Sequence, residues 1–162
     1  MGWLKQHMEA GWVPASLLIG LGLLLCGCGS SVSSSPVTTG LTLDCQLFQS
    51  TVNPIFDADI GGKTCSASGC HTVYGSAGGA FKIYPNAAPN TVEMQANYLA
   101  AKGFANLNSP ADSKLLLEPL AGAQSIVGSH TGGDIFTLFD VNYTPIYAWI
   151  ANPVQGPSSC YP

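Results

Sequence analysis

The sequence predicts an all-α fold, a small helical domain with long loops. Three observations predict it. No segment alternates apolar and polar residues with period two over five or more positions, so no strand pattern is present. Apolar residues recur at helical spacing near both ends of the body, and glycine and proline gather between those stretches, where they mark loops.

The first thirty residues, MGWLKQHMEAGWVPASLLIGLGLLLCGCGS, carry one lysine and one glutamate ahead of an uncharged apolar run from Ala15 to Leu25. That run is short for a bilayer span and reads as an export signal over residues 1–27. Residues 28–40, rich in Ser, Gly and Thr, have no apolar periodicity and read as a flexible tether. A single folded domain follows over residues 41–162.

Within that domain Leu43, Leu47, Val52, Ile55 and Phe56 fall at helical spacings, and Pro54 is expected to end or kink this first helix. The stretch Asp59-Ile60-Gly61-Gly62-Lys63 reads as a turn. From His71 to Pro89 the chain, rich in glycine, alanine and proline, reads as a loop that wraps something. Asn90-Thr91-Val92-Glu93 resembles an N-cap with an acid in the first turn, opening a helix to about Lys102. A short helical turn is expected over Ala111 to Glu118, stopped by Pro119. A last helix is expected over Thr144 to Ala151, ended by Asn152-Pro153.

Charge excludes one class of partner. After residue 27 the cations are Lys63, Lys82, Lys102 and Lys114, with no arginine, and charged residues make up only 9% of the whole chain. Nothing here builds the basic patch that nucleic acid requires. A weakly charged, apolar surface points instead to protein contacts or to a core enlarged by an apolar cofactor.

The chemistry concentrates in Cys65-Ser66-Ala67-Ser68-Gly69-Cys70-His71. Export implies an oxidising compartment, where the null expectation for Cys45, Cys65, Cys70 and Cys160 is two disulfides. Cys45 and Cys160, near the two ends of the body, suit a disulfide that staples it; both being free is the alternative. For Cys65 and Cys70 three readings stand side by side. They are a local disulfide, two ligands of a zinc site completed by His71 and His130, or the two thiols that attach a haem, with His71 presented to its iron. The glycine-rich Gly75 to Gly79 lacks the preceding strand, the lysine and the hydroxyl of a phosphate loop. Asp57, Asp59 and Asp134 lack calcium-loop spacing. Both read as turns.

Two resemblances sharpen these alternatives. Leu25-Cys26-Gly27-Cys28 resembles the lipobox of bacterial lipoproteins, which implies a lipid on Cys28. Gly29 follows where an inner-membrane protein typically has aspartate, so an outer-membrane location in the cell envelope is expected. Cys65…Cys70-His71 resembles the C-x4-C-H haem-binding variant of some c-type cytochromes. With Val52 to Phe56, Ser113 to Pro119 and Tyr143 to Ile150, the chain from Leu41 to Pro153 is similar to bacterial monohaem cytochrome c-like domains.

That resemblance implies one covalent haem c on Cys65 and Cys70, with His71 as proximal iron ligand. The distal ligand is expected to be His130, with Met94 or an open position as alternatives. It implies an electron carrier rather than an enzyme, working with redox protein partners, other cytochromes or copies of itself, and held at a membrane by its lipid. A haem enzyme or sensor with an open, peroxidase-like site and a haem-free disulfide-stabilised module are the competing classes.

Overall fold

Two very short strands bring the ends of the body together. β1 (Leu41–Thr42) pairs antiparallel with β2 (Val154–Gln155), with Leu41 opposite Gln155 and Thr42 opposite Val154. The computed structural model describes residues 40–122 and 130–162, all within the compact unit Pro36–Pro162. The leader, Cys28 and the tether up to residue 39 lie outside the described residues.

The first helical stretch begins at α1 (Cys45–Leu47), where the Asp44 carboxylate accepts from the backbone N–H groups of Gln46 and Leu47 at 2.7 and 3.2 Å. It widens into a π-helical segment over Phe48–Val52 and tightens again in α2 (Asn53–Asp57). Pro54 therefore does not end the helix. It sits in the first turn of α2, where a missing N–H costs least, and the wide turn before it makes room for its ring.

The turn at Asp59 to Lys63 forms as expected. Ile60 and Lys63 pair across Gly61 and Gly62, whose φ values of +63° and +81° are those of a tight two-residue hairpin turn. The helix expected after Asn90 is α3 (Val92–Gly103), capped one residue later than expected by the Thr91 hydroxyl, which accepts from Met94 N at 3.2 Å. Glu93 in its first turn and Lys102 in its last complement the helix dipole. The next helical turn is split at Ser113 into a 3₁₀ turn (Pro110–Asp112) and α4 (Lys114–Leu117). The last helix, α5, spans Tyr143–Ala151.

The all-α expectation is thus corrected. The helices are short, a two-stranded antiparallel sheet closes the body, and isolated bridges at Ile60–Lys63, Thr72–Ile83 and Leu120–Phe136 order the irregular segments. The cause is length: strands of two residues and single bridges are too short to write a period-two pattern into the sequence.

An aromatic core joins these elements. Phe48 of the π segment lies 5.2 Å from Trp149 of α5 and 5.6 Å from Tyr98 of α3, ring centre to ring centre, and all three are fully buried. Their polar ends are satisfied: Trp149 Nε1 donates to Asp44 O at 2.8 Å and Tyr98 OH to Leu43 O at 2.7 Å. Cys45 and Cys160 form a disulfide beside this cluster, with Cα atoms 5.4 Å apart. Asn97 of α3 fastens the loop that carries the cysteine motif. Its amide donates to Asn53 Oδ1 and Tyr84 O and its oxygen accepts from Tyr84 N, at 2.8, 2.9 and 2.6 Å. No helix among the described residues is long and apolar enough to cross a membrane.

Candidate cofactor site

The Cys65 to His71 stretch folds back on itself. His71 N donates to Cys65 O at 2.9 Å, Cys70 N to Ala67 O at 2.9 Å, and Ser66 N to Phe56 O at 2.9 Å, which docks the stretch on the end of α2. The four small residues between the cysteines fit this closed loop, since no bulky side chain has to be placed inside it. His71 then enters the ladder with Ile83, whose N–H donates to His71 O at 2.8 Å.

The imidazole of His71 is held by its inner nitrogen. Nδ1 lies 3.0 Å from Gly78 O and 2.9 Å from Phe81 O. Carbonyls only accept, so Nδ1 carries the proton and the Nε2 lone pair of the neutral ring is free to bind a metal. Phe81, edge-on at 4.9 Å between ring centres, fixes the ring plane.

Gly78 makes this contact possible. Its φ is +85°, and a Cβ there would overlap Cys70 O and sit 2.7 Å from His71 Nδ1. The preceding loop is anchored by Lys82, whose ammonium donates to Gly75 O at 2.9 Å, to Thr72 O at 3.5 Å and to Ala77 O.

His130 arrives from the other end of the body. Its Nδ1 lies 3.1 Å from Gly133 O, so this ring too keeps its proton on Nδ1 and leaves Nε2 free. The two imidazole centres are 5.8 Å apart with planes 15° from parallel. That spacing suits an offset stack of two rings, and it equally suits two imidazoles sharing one metal ion through bonds of about 2 Å each.

Two cavities meet at this pair. One of about 280 Å³ is walled mainly by Phe56, Phe81, Phe104, Leu115, Phe136 and Ile146, and Cys65 opens onto it. The other, about 420 Å³, reaches outward along Gly69, Cys70, Ala77 and Thr131. Both share His71, Gly78, Gly79 and His130, and each is lined by one of the two thiols.

Cys65 and Cys70 are free thiols, Cys65 buried and Cys70 half-buried. Burial, with added repulsion from Cys70 and Asp57, pushes the Cys65 thiol up to about 11, so it stays protonated at neutral pH. Met94, the alternative ligand, is buried in α3 and lines neither cavity.

This donor set separates the candidate groups. Structural zinc takes four protein ligands, and no three His, Cys, Asp or Glu side chains come together as a metal-holding group among the described residues. Haem iron receives four bonds from its own ring and asks the protein for one or two, which is what His71 and His130 offer beside an apolar cleft with two free thiols. The residues present fit a covalently held haem.

Of the residues the sequence singles out, His71 and His130 line both cavities, Cys65 lines the inner one and Cys70 the other. The sequence does not single out Gly78, Phe81, Lys63 or Lys82. The glycine-rich Gly75 to Gly79, close after the Cys70-His71 pair, is the signal for Gly78, although in sequence it reads as an ordinary turn. No protein-family model, no curated protein and no solved structure matches this chain.

Proposed function

We propose that the chain is an exported c-type haem protein, a carrier of single electrons between redox protein partners at the cell envelope rather than an enzyme. The observation that carries this reading is that two imidazoles, each with Nδ1 on a backbone carbonyl, lie where two adjoining cavities meet, one lined by the free thiol Cys65 and the other by the free thiol Cys70. Bound haem supplies an iron centre that gains and loses one electron.

The chain's own residues supply the rest. Cys65 and Cys70 would hold the haem covalently, each thiol adding its sulfur and its hydrogen across one vinyl group of the ring, an addition that needs no oxidant. His71, its Nδ1 held by Gly78 O and Phe81 O, would offer Nε2 to the iron. His130 would supply a second imidazole, which would leave no open position for a small substrate and favour electron transfer over catalysis. Phe56, Phe81, Phe104 and Phe136 keep water away from the cleft.

The Cys45–Cys160 disulfide is compatible with export to an oxidising compartment. The lipobox-like residues before Cys28 support a lipid anchor, and Gly29 supports the outer membrane as its destination. Intact-mass measurement and an absorption spectrum of the purified protein test the reading together. One added haem and low-spin bands are expected. A high-spin spectrum would move the protein to the open-site enzymes and sensors, and no haem mass would leave a disulfide-stabilised module. For the anchor, Cys28→Ala and globomycin should each block maturation, and normal processing of Cys28→Ala would defeat the assignment.

A further inference from the structure

The segment that carries His130 is fastened to the body in two places. On its downstream side, Ile135 N and Phe136 N lie 2.9 and 3.0 Å from Pro119 O, and Ala121 N donates to Phe136 O at 2.8 Å. Among the described residues, the turn itself is closed within its own four residues, by Gly133 N donating to His130 O at 2.6 Å and by the Nδ1 contact to Gly133 O. Neither bond tells the turn where to lie relative to His71.

Among the described residues, one side chain reaches the turn from the motif's side. Lys63 Nζ donates to Asp134 O at 3.1 Å, across 71 residues of sequence. Lys63 closes the Ile60–Lys63 hairpin and stands two residues before Cys65. The fit is close, because a Cβ on Gly133, whose φ is +80°, would collide with the Lys63 ammonium. The hairpin that leads into the thiol motif is thus tied directly to the turn that holds the second imidazole.

We propose that Lys63 is a positioning residue that holds the His130 turn over the cleft and so keeps His130 on the iron; the inference rests on the reading of His130 as the distal ligand. Without the lysine–carbonyl bond the turn keeps its internal closure and its Pro119 anchor but loses this link to the motif. His130 should then spend more time off the iron, although nothing that touches the iron has been changed. A ligand that competes for the sixth position reports that directly.

The experiment uses the purified holoprotein and carbon monoxide as probe. Wild type is expected to be low-spin, with slow carbon monoxide binding to the reduced form limited by His130 release. Lys63→Met should bind carbon monoxide about fivefold to tenfold faster, the loss expected for one charge-assisted hydrogen bond at a partly exposed site. It should also show a growing high-spin fraction, with circular dichroism unchanged. Lys63→Gln, whose shorter side chain cannot reach Asp134 O, should behave like Lys63→Met. Lys63→Arg, which keeps the charge and the reach, should restore the wild-type rate. A low-spin wild type whose carbon monoxide rate is unmoved by Lys63→Met and Lys63→Gln overturns the role of Lys63 while leaving the haem reading standing. A wild type that carries no haem, or is high-spin, overturns the ligand assignment and the role of Lys63 with it.

Discussion

The rings of His71 and His130 lie 5.8 Å apart, centre to centre, with their planes within 15° of parallel, and each has its Nδ1 on a backbone carbonyl. One comes from the loop after Cys70 and the other from the turn closed by Gly133. Both therefore have Nε2 left for a metal, from positions 59 residues apart in the chain.

His130→Ala should convert a low-spin spectrum to high spin and let carbon monoxide bind the reduced protein at once. The methionine-to-iron charge-transfer band should be absent from the wild type, because Met94 is fully packed in α3 and lines neither cavity. Optical spectra of the two proteins check both points. An unchanged low-spin spectrum in His130→Ala, with that band present in the wild type, would hand the ligand role to Met94.

Gly78→Ala should damage the site while leaving the aromatic core intact. Its methyl group would overlap Cys70 O and press on His71 Nδ1, at a φ of +85° that alanine disfavours by about 1–2 kcal/mol. Holoprotein yield should fall at least several-fold, and the potential of what remains should shift, because the hydrogen bond to Gly78 O tunes His71. Gly79→Ala is the matched control: its φ is +58°, but nothing lies within 4 Å of its Cβ position. Equal yields from the two variants would show that backbone strain, and not crowding of His71, decides the outcome.

Much of this site was legible because its chemistry is local. Cys70 and His71 are adjacent, so no fold was needed to see that a thiol and an imidazole act together. His130 was legible because the chain after residue 27 has only one other histidine. What could not be read depends on contacts between distant residues. Lys63 meets Asp134 O, and Asn97 meets Asn53 and Tyr84, through pairings that leave no periodic trace in sequence. The fold class failed for the same reason. A pairing of Leu41 and Thr42 with Gln155 and Val154 is made by the way the ends meet, and two residues carry no alternation to detect. The π segment before Pro54 is a response to the ring and to the packing of Phe48, neither of which a helical-periodicity count registers.

Removing the Cys45–Cys160 bridge should cost about 3–5 kcal/mol of stability, because the bond closes a 115-residue separation and removes much of the unfolded chain's freedom. The Cys45→Ser and Cys160→Ser double variant, followed by denaturant unfolding, measures it. The loss should fall on the end-to-end packing of β1, β2 and the Phe48–Trp149 pair. The iron spectrum should stay that of the wild type below the unfolding transition, since neither cysteine lines the cleft.

The two free thiols should differ in reactivity before haem is attached. Cys65 is 8% exposed and its thiol is pushed up to about 11, chiefly by burial, whereas Cys70 is half-buried at the outer cavity. Only the thiolate attacks an alkylating reagent, and below its pKa the thiolate fraction of Cys65 rises about tenfold per pH unit. In haem-free protein at pH 8, iodoacetamide should therefore label Cys70 well before Cys65. The Cys65 rate should keep climbing with pH up to about 11. Peptide mapping of a timed labelling series at several pH values gives both rates. Equal labelling at pH 8 would mean that the buried environment of Cys65 opens in the haem-free protein. A Cys65–Cys70 disulfide peptide resistant to labelling would remove the free thiols on which covalent attachment depends.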